Sequence, residues 1–240
     1  MKKLVAYLTT AFPDKNFTID AVLALKEAGV DKLELGIPFS DPVADGEVIE
    51  KANLIALQNG FKISDLFDVS KEIGEKIDTY WMGYFNSFYH KGYDFMVNKA
   101  KENNIKGFII PDLPYEETKD YTNKHPLISF VAPTDSFDRI QTILKDSKEF
   151  IYMVAYAGIT GMGKKEDLSE VIENIRKVSS TPLYIGFGVN EKTAKEKSKN
   201  VDGVIVGSAF IKVLLENDTY SNKIDKMVKI AKNIKEAINS

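Results

Sequence analysis

Eight short apolar runs, rich in strand-forming residues, recur along the chain, and helical periodicity follows most of them. The runs cover residues 4–8, 32–35, 79–84, 107–110, 128–131, 150–154, 183–186 and 203–206. Amphipathic segments lie between or after them, at residues 18–28, 95–102, 167–178 and 224–238. Strands that alternate with helices predict right-handed parallel βαβ units.

Eight such units in a chain of 240 residues match the size of a (β/α)8 TIM barrel, an α/β fold. The chain shows no linker and no break in composition, so we expect a single domain over residues 1–240. A doubly wound open sheet is the alternative, because periodicity does not reveal closure. In a barrel, the chemistry is expected at the C-terminal ends of the strands and in the loops that follow them.

The composition of the chain excludes several classes of function. A net charge of −3 argues against nucleic acid as the main partner. The absence of cysteine excludes disulfides, a thiol nucleophile and thiolate metal sites. The two histidines, His90 and His125, have no spacing that indicates a metal site. The apolar runs are too short to cross a bilayer, and we expect a cytoplasmic protein with no membrane association.

Acidic residues stand among apolar neighbours in residues 34–46, Glu-Leu-Gly-Ile-Pro-Phe-Ser-Asp-Pro-Val-Ala-Asp-Gly. Apolar surroundings shift carboxyl pKa values toward working pH. Glu34 lies at the end of a short apolar strand. Both faces of a barrel strand have apolar neighbours, so the Glu34 side chain is enclosed whichever way it points. Glu34 and Asp45 together predict a two-carboxylate site, whereas Glu34 alone is equally consistent with a lysine partner at a strand end.

The two aspartates of this loop need separate interpretations. Asp41 precedes a proline, and we interpret it as a structural residue that caps a turn. Asp45 precedes a helical run over residues 48–59, so it fits either a site acid or a helix N-cap. The residues alone leave both roles open for Asp45.

Glycine-rich turns follow the last three strands. Residues 185–189 and 206–209 lie after the seventh and eighth strands, where barrels often bind phosphate at a helix N-terminus. Glycine lets backbone N–H groups approach an anion closely, although tight turns also use it. Residues 157–165 after the sixth strand predict a mobile lid or a plain connector, and Thr160 with Gly161 could also donate to phosphate.

These segments, in this order, resemble the tryptophan synthase alpha subunit family. The resemblance rests on residues 34–46, Pro-Asp-Leu-Pro at 111–114, Ala-Gly-Ile-Thr-Gly at 157–161, Gly-Phe-Gly at 186–188 and Gly-Ser-Ala at 207–209. It implies a (β/α)8 barrel that cleaves indole-3-glycerol phosphate to indole and glyceraldehyde 3-phosphate. It also implies no cofactor in this subunit and a beta subunit that carries PLP, joined in an alpha2beta2 heterotetramer.

The resemblance assigns roles to residues of this sequence. Glu34 would be the catalytic acid and base, and Asp45 would hold the indole N–H. Positions that would contact or line the substrate are Tyr7, Tyr84, Val131, Tyr152, Thr160, Gly161, Gly186, Phe187, Gly188, Gly207 and Ser208. No metal is implied.

The chain departs from the family pattern in places. It begins almost at the first strand, where the family usually carries a helix, so the resemblance does not say what closes the bottom of the barrel. Glu47 and Tyr156 replace a usual proline and arginine in loops expected to meet the beta subunit.

Two rival functions remain. A sugar-phosphate isomerase barrel would share the glycine loops but would not explain residues 34–46. A non-catalytic activator of a beta subunit would not need both acids.

Overall fold

The fold was obtained as a computed structural model, which describes residues 1–154 and 168–240. The strands in these ranges are β1 Lys3–Thr9, β2 Lys32–Gly36, β3 Asp78–Met82, β4 Gly107–Ile109, β5 Ser129–Val131, β6 Ile151–Val154, β7 Leu183–Gly186 and β8 Gly203–Val206. The helices are α1 Lys15–Glu27, α2 Glu47–Gln58, α3 Ile63–Ile73, α4 Phe85–Lys91, α5 Tyr93–Glu102, α6 Phe137–Leu144, α7 Ser169–Val178, α8 Ala194–Lys197, α9 Ser208–Leu215 and α10 Tyr220–Asn239. A 3₁₀ helix covers Tyr115–Asp120.

The eight strands form one parallel sheet in the order β4-β3-β2-β1-β8-β7-β6-β5. Its two edges meet at a single parallel bridge between Phe108 and Leu127. There the Phe108 N–H donates to the Pro126 carbonyl at 2.8 Å, and the Ile128 N–H donates to the Phe108 carbonyl at 2.9 Å. The sheet therefore closes, which confirms the barrel and decides against the open sheet.

Side chains of the strands alternate between two apolar regions. The larger region lies between the strands and the helices. Each helix buries its apolar face there, and α1, for example, packs Phe17, Val22 and Leu25 against the sheet. Asp14 starts this helix, since its carboxylate accepts from the Phe17 N–H at 2.9 Å. A smaller cluster fills the barrel interior and includes Val5.

Three aromatic rings fill the interior toward the N-terminal ends of the strands. Phe150 lies 5.1 Å from Tyr80 and 4.8 Å from Tyr184 between ring centroids. The Tyr80 hydroxyl donates to Glu149 at 2.7 Å and accepts from the Lys32 ammonium at 3.0 Å. Side chains of the strands and of adjoining residues therefore fill the N-terminal end of the barrel. An interior site is then expected at the C-terminal end.

Candidate active site

Glu34 points into the barrel from β2. Its register partners are Tyr7 on β1 and Tyr80 on β3, while Leu33 and Leu35 on either side pack in the outer core. The Glu34 side chain is 2% exposed, and its Oε1 has no hydrogen-bond partner within residues 1–154 and 168–240. Burial raises the pKa of Glu34 to about 8, and the negative charge of Asp45 adds to the rise. The Glu34 carboxyl is therefore buried, and one of its oxygens is left without a hydrogen-bond partner among the described residues.

Asp45 lies in the loop after β2 and is not a helix cap. The N-cap of α2 is Gly46, and no side chain caps that helix. Instead, Oδ2 of Asp45 accepts from the Tyr84 hydroxyl at 3.2 Å and from the Asn53 amide at 3.4 Å. Burial raises the pKa of Asp45 to about 6, although these two hydrogen bonds lower it. The contacts of the Asp45 side chain are therefore with Tyr84 and Asn53 and not with the N-terminus of α2.

Tyr84 organises the loop that carries Asp45. Its hydroxyl oxygen accepts from the Ala44 N–H at 2.9 Å, and its ring stacks on Phe39 with centroids 5.3 Å apart. Asp41 lies in a turn, as predicted, because the Val43 N–H donates to the Asp41 carbonyl at 2.9 Å. Its carboxylate accepts from the Ser40 hydroxyl and, within the described part of the chain, from no backbone N–H, so it does not make the predicted capping bond.

Tyr7 and Tyr152 are buried beside the two acids. Burial raises the pKa of both phenols well above the usual value, and the charges of Glu34 and Asp45 raise it further. Glycines in adjacent strands make room for the rings. A Cβ at Gly36 would overlap the Tyr7 phenol, and a Cβ at Gly186 would overlap the Tyr152 ring. Both tyrosines are therefore held in the interior by close packing.

Val131 is not brought to this interior. It is fully buried in the core between strands and helices, whereas Phe130 on the same strand stacks on Tyr152 with centroids 5.0 Å apart. Successive side chains of a strand face opposite sides, so only one of the two can face the interior. Phe130 therefore lies beside Tyr152 in the interior, and the lining role that the resemblance implies for Val131 stays a prediction.

The glycine loops lie at the C-terminal ends of β7 and β8. Phe187 and Gly188 both have left-handed backbones, with φ of +71° and +67°. A bulky residue in this region is uncommon and is found preferentially at functional sites. Gly207 is the N-cap of α9, no side chain caps that helix, and Ser208 begins it. An uncapped helix N-terminus beside this turn suits an anion.

Thr160 and Gly161, with the rest of the segment 157–165, lie outside the described residues. Within the described ranges, no group of three or more His, Asp or Glu side chains could hold a metal ion.

Comparison with known proteins then identifies the chain. The sequence model of the tryptophan synthase alpha chain matches residues 1–239. The tryptophan synthase alpha chain of Wolinella succinogenes is 56% identical over 247 residues, covering 100% of this chain and 97% of that protein. This chain belongs to the tryptophan synthase alpha chain family.

Solved structures agree with this membership. The alpha subunit of tryptophan synthase from Campylobacter jejuni superposes with a TM-score of 0.86 at 32% identity, covering 97% of this chain and 95% of that one. A structure of Mycobacterium tuberculosis tryptophan synthase superposes with a TM-score of 0.89 at 27% identity, covering 100% and 93%.

Family membership settles the class of reaction. The chain is a carbon–carbon lyase of tryptophan biosynthesis, which cleaves indole-3-glycerol phosphate and pairs with a beta subunit. None of its described helices is long and apolar enough to cross a membrane.

Sequence reasoning missed Asn53 as a site residue. It lies on α2, is 1% exposed and donates to Asp45. No sequence pattern marks this contact, because Asp45 precedes α2 and the helical repeat does not fix where its side chain points.

Proposed function

We propose that Glu34 and Asp45 divide the acid–base work of indole-3-glycerol phosphate cleavage. One observation carries the proposal: two carboxyls of one interior have pKa values raised to different levels, about 8 and about 6. Carboxyls whose environments separate their pKa values take different roles. At neutral pH Glu34 is mostly protonated and Asp45 mostly ionised.

The reaction then proceeds in two proton transfers. Glu34 donates its proton to C3 of the indole ring, and the positive charge that develops at N1–H is stabilised by the Asp45 carboxylate. Glu34, now ionised, takes the proton of the glycerol hydroxyl next to the ring. The bond between that carbon and C3 breaks, its electron pair returns to the ring, and indole and an aldehyde result. Glu34 is protonated again at the end. General acid–base help of this kind contributes about 10²–10⁴-fold in rate.

The substrate phosphate would bind the turn and helix at β7 and β8. The backbone N–H groups near Gly186, Phe187, Gly188, Gly207 and Ser208 are the donors we propose, with Thr160 and Gly161 as further ones. Two contacts support a fixed turn: the Lys197 ammonium donates to the Phe187 carbonyl at 2.6 Å, and the Thr193 hydroxyl donates to the Gly188 carbonyl at 2.8 Å. The indole ring would then lie among Tyr7, Tyr84, Phe130 and Tyr152.

The remaining parts of the proposal follow from the family. One domain over residues 1–240 performs the cleavage without a cofactor of its own. PLP belongs to the beta subunit, which joins this chain in an alpha2beta2 heterotetramer and receives the indole. The enzyme acts in the cytoplasm.

An indole-release assay on the purified chain tests the proposal. Glu34→Gln should lower kcat by about 10²–10⁴-fold and leave substrate binding within a few-fold, because the amide keeps the shape but does not titrate. Glu72→Gln, which changes an exposed glutamate of α3, is the matched control and should match the parent enzyme. Activity of Glu34→Gln close to that of the control would remove Glu34 from the mechanism. Isomerase activity without indole release would favour the sugar-phosphate rival.

A further inference from the structure

Among the described residues, β4 and β5 are joined by one bridge alone, and we call this join the seam. The bridge between Phe108 and Leu127 lies toward the N-terminal ends of the strands. Beyond it, toward the C-terminal ends, is the upper half of the seam. There the described residues of β4 pair only with β3, and those of β5 pair only with β6. Each of the two strands is three residues long. The upper half of the seam is therefore held without a strand ladder.

The cover over the seam is also reduced. In a (β/α)8 barrel a helix normally follows each strand and covers it. After β4 the described chain forms the 3₁₀ helix Tyr115–Asp120, which buries none of its residues. Two polar contacts tie it to the side of α6. Glu116 pairs with Arg139, and the Tyr115 hydroxyl donates to Asp146 at 3.1 Å.

A cavity of about 230 Å³ lies at the seam. Two of its lining side chains, Phe130 and Val154, also pack against the interior cluster. On the outer side it is lined by Tyr115, Thr118 and Ile143. The cavity thus adjoins the interior, where Phe130 stacks on Tyr152, and extends outward beneath the 3₁₀ helix.

The chemistry of the lining selects a kind of ligand. Small-molecule sites are concave and mostly apolar, with a few placed polar groups, and drug-sized ones measure roughly 300–1,000 Å³. This cavity is smaller, so it suits a bicyclic molecule. Its cation, Arg139, is already paired with Glu116, and the carboxylates of Asp135 and Asp146 also line it. These charges disfavour anions and offer acceptors to an N–H group.

We propose that the seam cavity is a second ligand site, which takes a neutral planar heteroaromatic molecule of the size of indole. The ring packs among the apolar side chains, and its N–H faces the carboxylates at the mouth. The site uses neither Glu34 nor Asp45, and of the side chains proposed to surround the substrate indole it shares only Phe130. Indole, the product of the lyase reaction, has this size and chemistry, and it is the probe for the site.

Titration of the full ¹⁵N-labelled chain with indole tests the site by NMR. The amides of Leu113, Val131 and Ile143 report the seam, and those of Glu34, Gly36 and Ala44 report the interior. We expect saturable shifts in the seam group. Thr118→Phe places a ring in the cavity and should weaken binding at the seam at least tenfold, with the interior group much less affected.

Two controls isolate the cavity from the surrounding helix. Lys119→Phe adds the same ring to the adjacent exposed position of the 3₁₀ helix, which does not line the cavity. Thr118→Ala removes the hydrogen bond from the Thr118 hydroxyl to the Tyr115 carbonyl, which measures 2.7 Å, without filling space. Both should bind indole at the seam within about twofold of the parent chain.

The charge of the ligand gives a separate test. Indole-3-acetate carries a carboxylate, so it should bind at the seam at least tenfold more weakly than indole does, as measured by titration of the seam amide shifts. Seam shifts that are missing, that survive Thr118→Phe, or that are equal for the anion would overturn the proposal. These readouts do not depend on turnover, so they remain interpretable even if Glu34→Gln shows that the lyase mechanism is wrong.

Discussion

The Tyr84 hydroxyl donates to the Asp45 carboxylate at 3.2 Å, while its oxygen accepts from the backbone N–H of Ala44 at 2.9 Å. One phenol at the end of β3 therefore fixes both the acid and the backbone beside it, although both belong to the loop after β2. The hydrogen bond also lowers the pKa of Asp45, against the effect of burial. Tyr84 thus contributes to the ionised state of Asp45 as well as to its position.

Tyr84→Phe should move the acidic limb of the pH profile of kcat/KM to higher pH. The pKa of Asp45 is about 6 with the hydrogen bond, and loss of the bond raises it further. Because the proposed mechanism needs ionised Asp45, activity should fall as pH drops through this pKa, and in the variant it should fall at higher pH. Tyr89→Phe, which alters an exposed ring of α4, should leave the limb in place. An unshifted limb in Tyr84→Phe would refute this role.

Asp45→Asn should lower kcat about 10- to 100-fold, because a neutral amide stabilises the charge at N1 less well than a carboxylate by about 1.5–3 kcal/mol. The free energy of unfolding should not fall, since Gly46 and not Asp45 is the N-cap of α2. Steady-state kinetics and urea unfolding measure the two quantities on the same preparation. Normal turnover with reduced stability would indicate a structural residue.

Glu34→Gln should stabilise the fold increasingly as pH rises. The folded pKa of Glu34, about 8, lies above its ordinary value of 4.5, so the folded state binds this proton more tightly than the unfolded chain. The parent therefore loses stability between about pH 4.5 and pH 8, and the glutamine variant does not. We expect a gain on the order of 3–4 kcal/mol at pH 8 over pH 5. Urea unfolding at several pH values measures it, and a gain that shrinks with pH would contradict the assignment.

Ser208→Asp should raise KM at least tenfold while kcat changes little. Aspartate in the first turn of α9 suits the helix dipole, so the fold should not suffer. Its negative charge would lie where we place the substrate phosphate and would repel it. Ser208→Ala, which removes the hydroxyl alone, should have an effect of only a few-fold. Substrate affinity equal to the parent's in Ser208→Asp would move the phosphate elsewhere.

Strand positions could be predicted from the sequence to within about two residues. The bounds of β7 and β8 agree with the predicted runs at 183–186 and 203–206, because glycine and proline mark their limits. Helix starts were less accurate. The predicted helix starts at residue 18, whereas α1 begins at Lys15, because Asp14 caps its N-terminus one helical turn earlier.

Features that depend on distant contacts could not be predicted. The apolar run at 128–131 does not show which of Phe130 and Val131 faces the interior, because both faces of a barrel strand are buried. Asp45 fits a cap and a site acid equally until Tyr84 and Asn53 are seen beside it. The seam has no signal in hydrophobic periodicity, since periodicity does not show which strands pair.

The packing of Tyr7 over Gly36, and of Tyr152 over Gly186, has an evolutionary consequence. Each pair joins a large ring on one strand to a missing side chain on the next. A larger residue can replace either glycine only after the tyrosine packed over that glycine has been replaced by a smaller residue, so the order of substitutions matters. Within each pair, the two positions should therefore covary in related sequences. Gly36 need not touch any ligand to remain fixed.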